Sequence, residues 1–350
     1  MKKAVLLAST ALSVTLFAAS NASAADDRDY IEVVGSSTVY PFATSVAERF
    51  GKTTSFKTPK IESTGSGGGM KLFCNGIGVS FPDITNTSRR IKLNEFKQCQ
   101  ENGVKEIVEV LIGYDGIAFA NSRESDQLEI TRRDMFLALS KDVPNPDGSE
   151  TFVANPYQTW QDVNPALPAV KIEVLGPPPT SGTRDAFAEL ALEGGCKTFP
   201  WIAAMKKKDK SAYKARCHTV REDGAYIEAG ENDNLIVSKL QANPLAFGVF
   251  GFSFLDQNAD KVQGSLIEGF APTFESISSG DYKISRPLYF YVKKAHIGVI
   301  PGIVEYLNEF TSEAAWGDEG YLADKGMIPL GEEQRAAMGA SVKALENLSM

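Results

Sequence analysis

Apolar positions along this chain change period repeatedly, from short uninterrupted runs to helical spacing, with small polar residues at each change. Ile31 to Val34 reads as a buried strand. Val39, Phe42, Ala43, Val46, Ala47 and Phe50 then follow at the spacing of an amphipathic helix. Gly35-Ser36-Ser37-Thr38 lies between them. Lys60 to Ser63 predicts a second strand, followed by Thr64-Gly65-Ser66-Gly67-Gly68-Gly69 and a helix from Met70. Ile77 to Ile84 predicts a third strand, leading into Thr85-Asn86-Thr87-Ser88-Arg89-Arg90. The pattern returns at Val170, Ile172, Val174 and Leu175, a strand-like run that meets Gly176-Pro177-Pro178-Pro179-Thr180-Ser181-Gly182-Thr183. A helix through Phe187, Leu190, Ala191 and Leu192 comes next, with Gly194-Gly195 as its expected stop.

Between these units, Glu106 to Leu111 predicts a strand, and the glycine-flanked Gly113 to Ala120 an extended crossing. Arg132 to Ser140 predicts a helix, and the Pro-, Asn- and Asp-rich stretch from Pro144 to Pro168 a long surface loop around Tyr157 and Trp160. Further helices are expected from Asn234, over Ile300 to Phe310 and over Arg335 to Leu345. Strands are expected at Phe247 to Gly251 and at the aromatic run Leu288 to Val292. Alternating strands and helices predict an α/β fold. Two crossings divide the chain into a discontinuous lobe of residues 25–115 plus 288–350 and a second lobe of residues 116–287.

The candidate chemistry sits where strands turn into helices. A helix start presents unpaired N–H groups and roughly half a positive charge, which suits an anion. Ser181-Gly182-Thr183 offers this with hydroxyls and the guanidinium of Arg184 alongside. Ser37 and Thr38 repeat the design, with a plain Ser/Thr helix cap as the alternative. Ser66 and Gly67 repeat it again, with a flexible linker as the alternative. Arg89 and Arg90 read equally as a ligand clamp or as solvated charges. Gly51-Lys52-Thr53 misses a nucleotide P-loop, because Val46 stands where a glycine is needed and a helix precedes it. Lys206-Lys207-Lys208-Asp209-Lys210 reads as a solvated helix face or a partner-docking patch.

Composition narrows the setting. Lys2 and Lys3, the apolar run Ala4 to Ala19 and Ala22-Ser23-Ala24 predict a signal peptide over residues 1–24 and export to a bacterial periplasm. The apolar run is too short for a spanning helix. The formal charge is −8, and removal of Lys2 and Lys3 makes it −10. An acidic chain disfavours non-specific nucleic-acid binding, so any anion site must be local. Four cysteines in an exported chain predict two disulfides. Of the three connectivities, the pairs closest in sequence are Cys74–Cys99 and Cys196–Cys217. Closing each loop stabilises the fold by roughly 3 kcal/mol. With no Cys-x-x-Cys and only His218 and His296, no metal or other cofactor is expected, and both histidines read as surface or packing residues.

Gly35-Ser36-Ser37-Thr38-Val39-Tyr40-Pro41, Thr64 to Gly69 and Thr180 to Thr183 resemble, in that order, motifs of the periplasmic phosphate-binding proteins of ABC transporters. Asn232-Asp233 and Phe247-Gly248-Val249 resemble a later pattern of the same family, so the similarity covers essentially the whole mature chain. The resemblance implies a two-lobed periplasmic-binding-protein fold of type II that closes over inorganic phosphate in its interlobe cleft. It also implies a monomer that delivers the ligand to a membrane permease and performs no chemistry on it. By motif position, Ser37, Thr38, Ser66, Gly67, Ser181, Gly182 and Thr183 would contact the ligand. The best-known branch has an arginine and an aspartate where Pro177 and Pro179 stand, and an aspartate at the position of Ser88. The cation is therefore expected from Arg184 or Arg89, and a proton acceptor from Asp83, Asp115 or Asp185. Sulfate, phosphonate or phosphite on the same fold is the alternative. A phosphatase or serine hydrolase is remote, since Gly-x-Ser-x-Gly and a histidine near any candidate serine are lacking.

Overall fold

A computed structural model describes residues 28–230 and 233–350; the expected signal peptide and Asn232 lie outside them. Strand β1 (Glu32–Gly35) turns through Ser36 to Val39 into α1 (Tyr40–Thr53), which buries the Phe42, Ala43, Val46, Ala47 and Phe50 face that its spacing predicts. Strand β2 (Lys60–Ser63) pairs in parallel with β1 and leads into α2 (Ser66–Phe73).

Helix α2 begins four residues before the expected Met70, so the glycine run is its first turn rather than an open loop. Packing decides this against glycine's poor helix propensity. A Cβ on Gly69 would stand 2.5 Å from the Cα of Gly35, so this turn seats against the end of β1 only because both positions lack side chains. Gly35 itself has φ +135°, and a Cβ there would meet the Asn86 carbonyl oxygen at 2.1 Å.

The third strand is also displaced. β3 is Ile84–Thr87, so the polar Thr85, Asn86 and Thr87 are the strand, and residues 77–83 approach it through turns and irregular chain. These polar residues are buried because β3 lies between β1 and the late strand Ser285–Lys293.

The expected strand at Glu106 to Leu111 and the expected crossing are one continuous strand, β4 (Ile107–Ser122), almost wholly buried. Later strands of the same sheet are β5 (Val174–Gly176), β6 (Tyr226–Glu228) and β7 (Phe247–Gly251). Among the described residues β8 (Val262–Gly264) and β9 (Ser285–Lys293) complete a nine-stranded sheet, in the order β2-β1-β3-β9-β4-β7-β5-β6 with β8 also on β4. From Ile107 to Gly116, β4 pairs antiparallel with β9; from Ile117 to Asn121 it pairs antiparallel with β7. The pairing partner thus changes between Gly116 and Ile117.

Two expectations in the second half of the sheet are corrected. The stretch from Pro144 to Pro168 is not all surface loop: Phe152–Ala154 pairs with Asp142–Pro144, and Trp160 is fully buried. Its indole meets Phe119 and Phe247 edge-on, with ring centroids 5.8 and 5.3 Å away, and this aromatic burial draws the loop inward. Gly194-Gly195 does not stop its helix. Helix α4 (Gly182–Phe187) runs on through a π-turn (Ala188–Leu192) to Cys196. Its buried glycines pass against α3 (Arg132–Leu139), where a Cβ on Gly195 would stand 2.0 Å from the Arg132 carbonyl oxygen. Helices α5 (Pro200–Lys208) and α6 (Lys210–His218) follow. Disulfides join Cys74 to Cys99 and Cys196 to Cys217, as expected from sequence proximity.

Candidate anion-binding cleft

Two of the three helix starts open onto one cleft of about 1040 Å³, lined by Ser36, Ser37 and Thr38 ahead of α1 and by Thr64 to Gly68 at α2. Ser36 organises the first turn: its N–H donates to the Asn86 carbonyl at 2.9 Å, and its own carbonyl accepts from Tyr40 N–H at 3.0 Å. The hydroxyl of Ser66 accepts the N–H of Ser88 at 3.1 Å and lies 3.1 Å from the Ser88 hydroxyl, tying α2 to the end of β3. The third start, at α4, faces the first, because a Cβ on Gly182 would come within 4.0 Å of the Ser37 carbonyl oxygen. There Ser181 caps its helix by accepting the N–H of Thr183 at 3.2 Å.

The two expected cations stand in different places. Arg184 donates to the Pro177 carbonyl at 3.2 Å and lies over the Tyr226 ring, 4.1 Å from its centroid, so the structure does not bring it to the cleft. Arg89 does line the cleft, but both its terminal nitrogens are held by Glu95, at 2.9 and 2.7 Å. Arg90 is held by Glu109 through Nε and Nη2, at 3.0 and 2.9 Å.

A further cation in the cleft, bonded to the first helix start, is Arg286 on β9, a residue that the motif pattern does not single out. It is 7% exposed and lies in register with Asp115, beside the point where β4 changes partner. Its guanidinium donates to the Thr38 hydroxyl at 2.5 Å, to Asp115 at 3.2 Å and to Glu189 at 2.6 Å. Glu189 comes from the helix that α4 begins, so one guanidinium touches the first helix start, the crossing strand and the opposite wall. A weak sequence signal existed: Arg286 stands two residues ahead of the expected strand Leu288 to Val292, where the chain was expected to cross back.

The carboxylates separate in a similar way. Asp83 is fully buried away from the cleft, held by Arg28 at 2.7 Å and by His296 Nδ1 at 2.6 Å. The Gly78 N–H donates to Nε2 of the same ring at 3.0 Å, which leaves the proton on Nδ1 toward Asp83. Burial raises the Asp115 carboxyl above its ordinary value, with Arg286 offsetting part of the shift. Burial and neighbouring Glu189 raise Asp185, which lines the cleft. One turn beyond Glu189, Glu193 bonds His218 at 2.6 Å and Lys206 at 2.5 Å; burial opposes ionisation, yet these partners hold its carboxyl down to about 2. The cleft therefore combines helix-start donors, hydroxyls, one buried guanidinium and carboxylates able to accept a proton.

Comparison with known proteins places the fold. Residues 20–314 match the model of the PBP superfamily domain. The chain belongs to the PBP superfamily. It is 28% identical over 342 residues to the phosphate-binding protein PstS of Staphylococcus saprophyticus, covering 94% of this chain and 91% of the relative. Its fold matches the crystal structure of a possible phosphate binding protein from Planctomyces limnophilus with a TM-score of 0.72 and 24% identity, over 91% of this chain and 99% of that one. An ABC-type phosphate transport receptor from Vibrio cholerae matches with a TM-score of 0.58 and 18% identity, over 86% and 100% of the two chains. The two-lobed α/β architecture expected from the sequence is the fold of this superfamily.

Proposed function

We propose that this PBP-superfamily protein binds inorganic phosphate in the cleft and delivers it to the membrane permease of an ABC importer. It is a periplasmic monomer and a binding protein, not an enzyme. The lobes are residues 25–115 plus 288–350 and residues 116–287, and the change of pairing partner along β4 supports that division. Ligand contacts come from Ser37, Thr38, Ser66, Gly67 and Ser88 on one side and from Ser181, Gly182 and Thr183 on the other. Arg286 supplies the charge that Arg184 and Arg89 were expected to supply.

The observation that carries this reading is the buried Arg286 guanidinium, bonded to Thr38 and facing both walls. A buried cation beside helix N-termini neutralises an oxyanion without needing a basic protein. An ionised Asp115 or Asp185 accepts the proton that phosphate keeps near neutral pH, whereas fully ionised sulfate has none to offer. A buried acceptor left facing a second acceptor costs about 1–3 kcal/mol or more. Relatives named for phosphate binding and phosphate transport support the same ligand. Calorimetry of the mature chain is expected to find one phosphate site and much weaker sulfate binding. Strong sulfate binding without phosphate binding would overturn the proposal.

A further inference from the structure

The cleft carries a charge opposite to that of the chain. The whole protein has a formal charge of −8, yet one wall of the cleft presents Lys197, Lys206, Lys210 and Lys214. Lys210, Lys214 and His218 stand at four-residue steps on α6, and Lys206 precedes them by the same step on α5. The Cys196–Cys217 disulfide fastens α6 to the end of the long helix that α4 begins, which fixes the row beside the cleft. Lys206 is tied to Glu193; Lys197, Lys210 and Lys214 are exposed and form no ion pair among the described residues. The neighbouring Lys207 and Lys208 are equally exposed but do not line the cleft.

We infer that Lys197, Lys210 and Lys214 form a capture site for oxyanions at the mouth of the cleft, distinct from the helix-start and Arg286 contacts. The site rests on the reading of the cleft as an anion site. Solvated ammonium groups add little to a final contact, but they shape the field that an approaching anion meets. In a net-acidic protein the surrounding surface repels a dianion, so a local positive row sets the entry route. Its effect falls on the association rate and fades as salt shortens the screening length, from roughly 30 Å at 0.01 M to 8 Å at 0.15 M.

The test compares the mature wild-type protein with the triple variant Lys197→Gln, Lys210→Gln, Lys214→Gln. A control triple, Lys207→Gln, Lys208→Gln, Lys239→Gln, changes net charge equally away from the cleft. Association and dissociation rates for inorganic phosphate are measured by stopped flow, and Kd by calorimetry, at low and at physiological salt. The cleft triple should lower the association rate about three- to tenfold at low salt, leave the dissociation rate unchanged and flatten the salt dependence of Kd. The control triple should leave most of the wild-type rate intact. An unchanged association rate, an effect confined to dissociation, or an equal loss in the control would overturn the capture site. If the wild type binds sulfate and not phosphate, the choice of ligand fails, and the same rates read with sulfate still decide the lysine row.

Discussion

At the scale of single residues, two arginines exchange roles. Arg184 stands beside the Ser-Gly-Thr motif, but its guanidinium is spent on Tyr226 and the Pro177 carbonyl. Arg286 lies about a hundred positions further on and reaches the cleft because β9 pairs with β4 at Asp115. Phosphate titration of variants separates them. Arg286→Ala is expected to weaken binding by about 2–5 kcal/mol, the range for truncating one side of a buried charge pair. Arg184→Ala should change it by less than tenfold. Arg286→Lys should recover only part of the loss, since an ammonium cannot reproduce the planar fork.

Lys293 carries a different residue-scale consequence. It is fully buried, its Nζ has no hydrogen-bond partner among the described residues, and the rings of Phe73 and Phe81 lie 5.0 and 5.3 Å away. Burial lowers its pKa to about 7, with Asp83 opposing and Arg28 adding to the shift. The unfolded chain keeps this proton up to about pH 10.4, so between the two values it binds more protons than the folded one. This group's contribution to stability therefore rises with pH from about 7 to 10 and is lowest below 7. Lys293→Met should raise stability most at pH 6, with the gain shrinking toward pH 10. Denaturant midpoints across that range check this, and a gain independent of pH would exclude the mechanism.

At the scale of elements, the strand–turn–helix units were legible because strand runs and helical spacing are both strong in the sequence. Their boundaries were less so. The Gly67-Gly68-Gly69 run carries no sign that Gly35 will be its neighbour, because that contact arises only when β1 and α2 pack. Thr85, Asn86 and Thr87 read as a polar loop for a similar reason, since their burial is imposed by strands on both sides. Trp160 and Gly195 misled in the same direction: loop composition and glycine are local signals, and tertiary packing overrode both. Gly69→Ala is accordingly expected to destabilise the fold by about 1–3 kcal/mol through overpacking and to lower phosphate affinity, because α2 must shift at the cleft. Gly67→Ala, with open space around its Cβ, should destabilise the fold far less.

At the scale of the whole molecule, the sequence conveyed the α/β class and both disulfides, whereas the site's cation depended on which strands become neighbours. The disulfide that fastens α6 spans 21 residues. Replacing Cys196 and Cys217 together by alanine should cost roughly 3 kcal/mol by thermal unfolding and loosen the lysine wall without touching the helix starts. Strand order has a further consequence for how the chain is made. In the finished sheet β9 lies between β3 and β4, although it is synthesised long after both, since β4 ends at Ser122 and β9 begins at Ser285. The first half of the sheet thus has a gap in its middle until residue 293 has emerged, and no folding from the N-terminus can close it. If the chain is exported unfolded, as residues 1–24 predict, it gains from this delay. Its late strand acts as a timer that holds the fold back until nearly the whole polypeptide has been delivered.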